Sequence, residues 1–293
     1  EITTRLVGSE MCIRDRYSGY KKNITENATA MERISSGSKI NSAKDNPLKI
    51  DQSEKLKMQI RSLEMANKNV QDTTSMVQTA DTAMSTINEA LTRIKELIVK
   101  GASSTNTEDD KNVIQTEIDE LTNYIEDTAN NTEFNGNKLL ANANVTSNNK
   151  PFYMEMQTGY NVGDSMMIPF FNVTPKVLGI DALDVTTEDG AAEALKNIDK
   201  AIVNLNSCRS SYGAIQGRLE TTSDIISSGA YTYEKASSDI NDADIALEMA
   251  EIARTSILME SATAMMAQSN NFPKDMLNIC LLYTSDAADD GES

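Results

Sequence analysis

The residue types in this chain of 293 residues restrict its chemistry at once. There is no His. That removes Ser-His and Cys-His nucleophile systems and most zinc sites, which need an imidazole as base or ligand. No nucleophile elbow or phosphate-binding Gly loop occurs either. Carboxylates remain, but Glu89, Glu96, Asp119 and Glu126 fall outside the apolar stripe of their helical segments, on what should be a wet face. Three Cys, at 12, 208 and 280, give no disulfide framework. Cys208 follows Leu205 by three residues and reads as a small buried filler. Asp239, Asn241 and Asp244 imitate a calcium loop, yet Ala243 occupies the third ligand position and the required Gly is absent. Helix capping is the simpler role for them. The expectation is a non-enzyme with no catalytic residue, no cofactor and no metal.

The formal net charge is −17, from 44 acids and 27 bases. Nucleic acid and anionic membranes both demand clustered Lys and Arg, so neither is an expected partner. No apolar run approaches the roughly 18 residues of a membrane span. No basic region, apolar core and cleavage site follow one another near the start, so no cleaved signal peptide is visible. Aromatic residues make up 5%, there is no Trp, and there are 5 Pro and 13 Gly. Few aromatics and few helix breakers suit extended helical packing better than a thick globular core. Five N-x-[ST] tripeptides, at Asn23, Asn27, Asn130, Asn144 and Asn172, fit chance in a chain rich in Asn and Thr, and matter only in a glycosylating compartment.

What positions these residues is a seven-residue period. Leu56, Leu63, Val70, Val77, Met84, Leu91 and Ile98 repeat every seventh place, with Ile60, Ala66, Thr73, Ala80, Ile87 and Ile94 as a companion stripe. Ile198, Leu205, Tyr212, Leu219, Ile226 and Tyr233 repeat the rule near the other end. Such a period predicts long straight helices that each bury one seam against another helix. The two seams are natural antiparallel partners. The 15 Met residues, among them Met58, Met65, Met76 and Met84, read as adaptable seam packing.

Along the chain, a helical segment from Ile24 to about Ala43 carries Ile24, Ala28, Met31 and Ile34 on one face and is interrupted by Gly37. SAKDNP, Ser42 to Pro47, is a turn. The long helix comes next and stops at Gly101 beside Lys100. Thr107 to Asp110 fits a cap with an acid three residues on, opening a return helix with Ile114, Ile118, Leu121 and Ile125. Asn135-Gly136 marks a turn. Residues 141–185 change character: Asn142, Asn144, Asn148 and Asn149 make a polar loop. Phe152–Met156 and Ser165–Ile168 then flank a Gly-containing turn as one or two short hairpins, expected to cap the far end of the bundle. Pro169 and Pro175 demote the stretch after Ile168 to edge strand or loop. Helical pattern resumes from about Asp189 to Tyr233. SDINDAD, Ser238 to Asp244, opens a last helix with Ile240, Leu247, Ala250, Ile257 and Met265 on one face, closed by Pro273. Leu6–Arg16 and Cys280–Ser293 break the pattern and resemble translated read-through. The fold class expected is mainly α: a long antiparallel coiled-coil helical bundle with small β-hairpins in the middle of the chain.

Several strings then accumulate in order: ISSGSKINSAKDNP at 34–47, LTRIKEL at 91–97, TEFNGNKLL at 132–140, RSSYGAIQGRL at 209–219 and DINDAD at 239–244. Together they resemble bacterial flagellin, over about residues 17 to 279. The resemblance implies an inner terminal-helix domain of residues 17–44 plus 238–279. It also implies a rod domain of 45–237 with a β-hairpin region at 141–185, and no outer variable domains. Residues 1–16 and 280–293 are set apart as non-native tails. The implied function is a structural subunit that self-assembles into the extracellular flagellar filament for motility, exported without a cleaved signal peptide. The alternatives are a hook–filament junction protein, or a secreted helical adaptor or effector binding through its coiled-coil seam. Implied partners are other copies of itself, a flagellar export chaperone, cap and junction proteins, and a host Toll-like receptor. Carried over by motif, the receptor-contact candidates are Arg93, Leu97 and Glu117. Thr92, Lys95 and Lys100 depart from the family's usual Gln, Arg and Gln.

Overall fold

The computed structural model describes the backbone of residues 2–142, 145, 148 and 150–289, and the side chains of residues 14–142, 145, 148, 150–269 and 271. The elements are α1 (Ile2–Ser36), α2 (Pro47–Gly101), α3 (Glu108–Asn131), β1 (Glu133–Phe134), β2 (Asn137–Lys138), β3 (Phe152–Gln157), β4 (Ser165–Phe170), α4 (Pro175–Leu178), α5 (Glu188–Asn241) and α6 (Ile245–Asp289). The mainly helical class holds. The chain divides into two compact units, Glu1–Lys57 with Lys235–Ser293, and Met58–Glu234. These bounds differ from the division at 45 and 237, because the heptad stripes of α2 and α5 run on without a break and give no internal boundary.

In the second unit, α2, α3 and α5 share one apolar core. Three polar pairs fix the sense of α2 against α5. Lys95 lies 2.6 Å from Asp199, Arg209 3.0 Å from Asp81, and the Ser223 hydroxyl 2.8 Å from Asn67 Oδ1. The α2 number falls as the α5 number rises, so within this unit the two helices run antiparallel. Helix α3 starts where the sequence marks it. Thr107 Oγ1 accepts from the Asp110 N–H, and Asp110 Oδ2 accepts from the Thr107 N–H, a reciprocal cap. The β1–β2 pair closes through Asn135 (φ 50) and Gly136 (φ 79), the left-handed backbone of a two-residue hairpin turn.

Strands β3 and β4 pair antiparallel from Phe152–Phe170 to Gln157–Ser165. This hairpin does not cap the far end of the bundle. It lies along the flank of α2, where Asn69 Nδ2 donates to the Gln157 carbonyl (3.3 Å), and its turn reaches α5, where Tyr160 meets Tyr233 edge-on at 6.2 Å. Met166, Ile168 and Phe170 on its inner face are buried, and an edge of the helical core is what they cover. Pro169 sits within β4, tolerated because a two-stranded sheet has only edges. Pro175 opens α4 at a first-turn position that needs no N–H.

Several local expectations change. Helix α1 ends at Ser36, not Ala43, because Gly37 adopts φ 69 and turns the chain. Gly101 ends α2 while still helical. Its missing side chain leaves room for Val185 and Ile114, which a Cβ would meet at 3.4 and 3.5 Å. Met76 and Met84 are core, but Met58 and Met65 are exposed. Pro273 does not close α6, which continues to Asp289. A proline removes one ladder bond without ending a helix flanked by formers such as Lys274, Met276 and Leu277. The backbone of Leu6–Arg16 and of Cys280–Asp289 is helical too. Backbone hydrogen bonding does not require an amphipathic pattern. The side chains of Cys12 and Cys280, and residues Asn144 and Asn149, lie outside the described residues.

Candidate functional site

The sequence points to helix seams, so these are the site. In the second unit Leu63, Val70, Val77, Met84, Leu91 and Ile98 of α2 are buried, as are Ile198, Leu205, Tyr212, Leu219 and Ile226 of α5. Leu56 is only half-buried. It belongs to the other unit and precedes Leu63, where the apolar core of α2 begins. Tyr212 meets the ring of Phe171 edge-on at 5.3 Å, and burial pushes its hydroxyl well above the usual tyrosine range. Cys208 sits in the same core, and burial pushes its thiol up to about 11. Glu89, Glu96, Asp119 and Glu126 are all exposed.

Of the three receptor-contact candidates, the structure brings two together. Arg93 donates to Glu117 at 3.0 Å across α2 and α3, and to Glu96 at 3.1 Å along α2. All three side chains stay about half exposed, so the pairs contribute little to stability. Leu97 is not on this surface. It is 2% exposed and packs in the core. Position 97 lies one turn from Arg93 but beside Ile98 and Ile94, on the seam side of the helix.

The first unit is built differently. α1 and α6 run antiparallel: Ser38 bridges Asp242, Arg33 Nη1 lies 3.1 Å from Glu248 Oε1, and Asn27 Nδ2 donates to Thr255 Oγ1 at 2.8 Å. The seam holds Glu248 (6% exposed) and Thr255 (0%), with Ala30 at 2%. Most of the apolar side chains read from sequence lie outside it, although Ile34 is half-buried and Met265 accepts from Arg16 Nη1. Ile24 and Met31 on α1 are 42% and 59% exposed, and Leu247, Ile257 and Met265 on α6 are 65%, 64% and 53% exposed. Periodicity could not say what covers these side chains. Asp244 caps α6, its Oδ1 accepting from the N–H groups of Ala246 and Leu247, while Asn241 Oδ1 accepts from the Ser38 hydroxyl. These bonds account for two members of the imitation calcium loop.

Other positioning residues gave no periodic signal. The Gln115 amide clamps 183–185, donating to the Leu183 carbonyl (2.7 Å) and accepting from the Val185 N–H (2.9 Å). Asn172 is 8% exposed, donates to the carbonyls of Asn142 and Val145, and accepts from Thr174. Its tripeptide therefore serves loop closure. Three exposed carboxylates hold turns. Bonds from the Ser42 and Asn41 N–H groups keep Asp45 below the usual range. The Thr107 hydroxyl and N–H do so for Asp110, and the Thr186 hydroxyl and N–H for Asp184.

Long helices with one closed apolar seam, and a second pair that leaves several apolar side chains exposed, define a mainly helical coiled-coil protein. The comparisons with known proteins carry this further. Residues 11–145 match the bacterial flagellin N-terminal helical region, and residues 195–280 match the bacterial flagellin C-terminal helical region. The chain is 34% identical to a flagellin of Halalkalibacterium halodurans, over 88% of this chain and 93% of that one. It is 36% identical to a flagellin of Bacillus subtilis, over 85% and 91%. The chain belongs to the bacterial flagellin family, and its role is that of a structural subunit of the flagellar filament. A solved putative flagellar hook-associated protein from Vibrio parahaemolyticus shares the fold, with a TM-score of 0.57, covering 68% of this chain and 100% of that one. At 15% identity that likeness concerns the fold alone, and does not favour the junction alternative.

Proposed function

We infer that the chain polymerises through the outward stripes of its first unit: Ile24 and Met31 on α1, and Leu247, Ile257 and Met265 on α6. The observation that carries this reading is their exposure beside a seam whose buried positions include the polar Glu248 and Thr255. Apolar area left uncovered in one chain is stabilised when a second copy covers it. Contacts of this kind that do not close into a ring yield an open filament. The first unit thus supplies contacts between copies, and the second a rigid rod. The product lies outside the cell. Export without signal cleavage, escort by an export chaperone, and contact with cap and junction proteins are the finer parts of this reading and rest on the family resemblance. No catalytic role is assigned.

Seeded elongation followed by light scattering tests it. The parent should extend seeds of its own filaments. Leu247→Lys with Ile257→Lys should raise the critical concentration by about tenfold or more, since each change buries a charge at the contact. Elongation of this variant at the parent's critical concentration overturns the reading.

A second reading concerns a host Toll-like receptor. The exposed Arg93–Glu117 pair supports it, offering a forked donor and a charge on one surface. Leu97 contributes only by packing beneath it. A binding titration should find the affinity of Arg93→Ala reduced by about tenfold. Equal affinity, or no binding by the parent, removes the claim.

A further inference from the structure

The helices of the first unit meet through an unusual seam. Buried or half-buried positions fall at heptad spacing: Asn23, Asn27, Ala30 and Ile34 on α1, and Glu248, Ile252, Thr255 and Met259 on α6. Within that seam the apolar residues do not choose a register. Ile252, Met259 and Met266 repeat every seven residues, so a slip of one heptad replaces each by a similar side chain. The polar residues do choose. Asn27 Nδ2 donates to Thr255 Oγ1 (2.8 Å), and also reaches the Ile252 carbonyl and the Ser256 hydroxyl, both at 3.4 Å. Thr255 Oγ1 in turn donates to the Glu251 carbonyl (2.8 Å). Arg33 Nη1 lies 3.1 Å from Glu248, whose side chain is 8% exposed.

We propose that Asn27–Thr255 and Arg33–Glu248 are the register-setting pairs of α1 and α6, and so determine which apolar side chains this chain presents to the next copy. Slipped one heptad in one direction, Arg33 faces Thr255 and Asn27 faces Ala262. Slipped in the other, Glu248 faces Asn27 beside Glu26. Either way a nearly buried carboxylate loses its cation and a buried hydroxyl loses its amide. Unpaired groups of this kind cost far more than the pair gains, which is how a polar seam position selects one alignment among several. The stripes Ile24–Met31 and Leu247–Ile257–Met265 keep their relative positions only in the register these pairs hold. The pairing lies within one chain and is tested without filaments, whereas its consequence for the next copy rests on the proposed function.

Disulfide trapping in the full chain tests it. With Cys12→Ser, Cys208→Ala and Cys280→Ser as background, Ala30→Cys is combined with Ile252→Cys to report the native register, or with Met259→Cys to report the one-heptad slip. In a glutathione redox buffer at dilute concentration, the first pair should close at least about tenfold more readily than the second. Adding Asn27→Leu and Thr255→Val should bring the two within about threefold, with helix content by circular dichroism retained. Arg33→Glu should also lower the preference, and Glu248→Arg on top of it should restore it. A parent without preference, a preference unchanged by Asn27→Leu/Thr255→Val, or a charge swap that restores nothing overturns the proposal.

Discussion

Arg209 Nε lies 3.0 Å from Asp81 Oδ1, and fourteen residues on along α5 and fourteen back along α2 the Ser223 hydroxyl lies 2.8 Å from Asn67 Oδ1. Two heptads on α2 are thus matched by two heptads on α5, which is the spacing required if both follow a common seam. These pairs mark the alignment, and the apolar layers between them hold it. Arg209 and Asp81 are 30% and 40% exposed, in the range where an ion pair contributes about 1 kcal/mol or less. Leu91, at 0%, lies in the core of the same bundle.

Leu91→Asp should therefore lower stability by about 3–5 kcal/mol, because it removes core packing and buries an unpaired carboxylate. Arg209→Ala should cost about 1 kcal/mol or less. Urea denaturation followed by circular dichroism separates them. A Leu91→Asp midpoint equal to that of the parent would remove Leu91 from the seam.

Acid should act first on turns and caps. Asp45, Asp110 and Asp184 all have folded pKa values below the ordinary value of about 3.9, because hydroxyl and N–H donors favour their charged forms. A depressed folded value means the contribution is present above that ordinary value and is lost as pH falls through the folded one. The 41–46 turn, the start of α3 and the 184–187 turn should loosen only below about pH 4. Asp110→Asn should remove the part of the acid response that arises at α3. Amide exchange of residues 108–111 against pH checks this; an identical acid profile in the variant would contradict it.

Cys208 should be inert. With its thiol pushed up to about 11 by burial and 3% exposed, almost no accessible thiolate exists at neutral pH. A thiol reagent at pH 8 should leave it unmodified in the folded chain and modify it fully in urea. Rapid labelling of Cys208 without denaturant would place it outside the core.

The sequence made the second unit legible because its seam is apolar and its turns use residues with narrow conformational roles. The heptads at 63–98 and 198–226, the Thr107 cap and the Asn135–Gly136 turn each translate directly into structure. The first unit was legible only in part. Its stripes are real only in part: Ile24, Met31, Leu247 and Ile257 stay exposed beside the α1–α6 contact, while Met265, though 53% exposed, accepts from Arg16 Nη1 of α1. A period of seven reveals a face without saying whether this chain or another covers it. The contact itself runs through Asn27, Arg33, Glu248 and Thr255, which carry no hydropathy signal. Gly101 ends α2 as its type suggests, but the close approach of Val185 that its missing side chain admits carries no sequence signal. Gln115 and Asn172 act through single bonds to backbone, and no spacing advertises such bonds.

The central claim is that other copies of the chain cover the outward stripes. Peroxide footprinting of methionines, read by mass spectrometry in free chains and in filaments, tests it most directly. In the free chain Met31 and Met265 should oxidise readily at 59% and 53% exposure, and Met76 and Met84 slowly at 5% and 0%. In filaments the oxidation of Met31 and Met265 should fall by about tenfold or more, toward the rate of the core methionines. Unchanged oxidation of Met31 and Met265 in filaments would contradict the account.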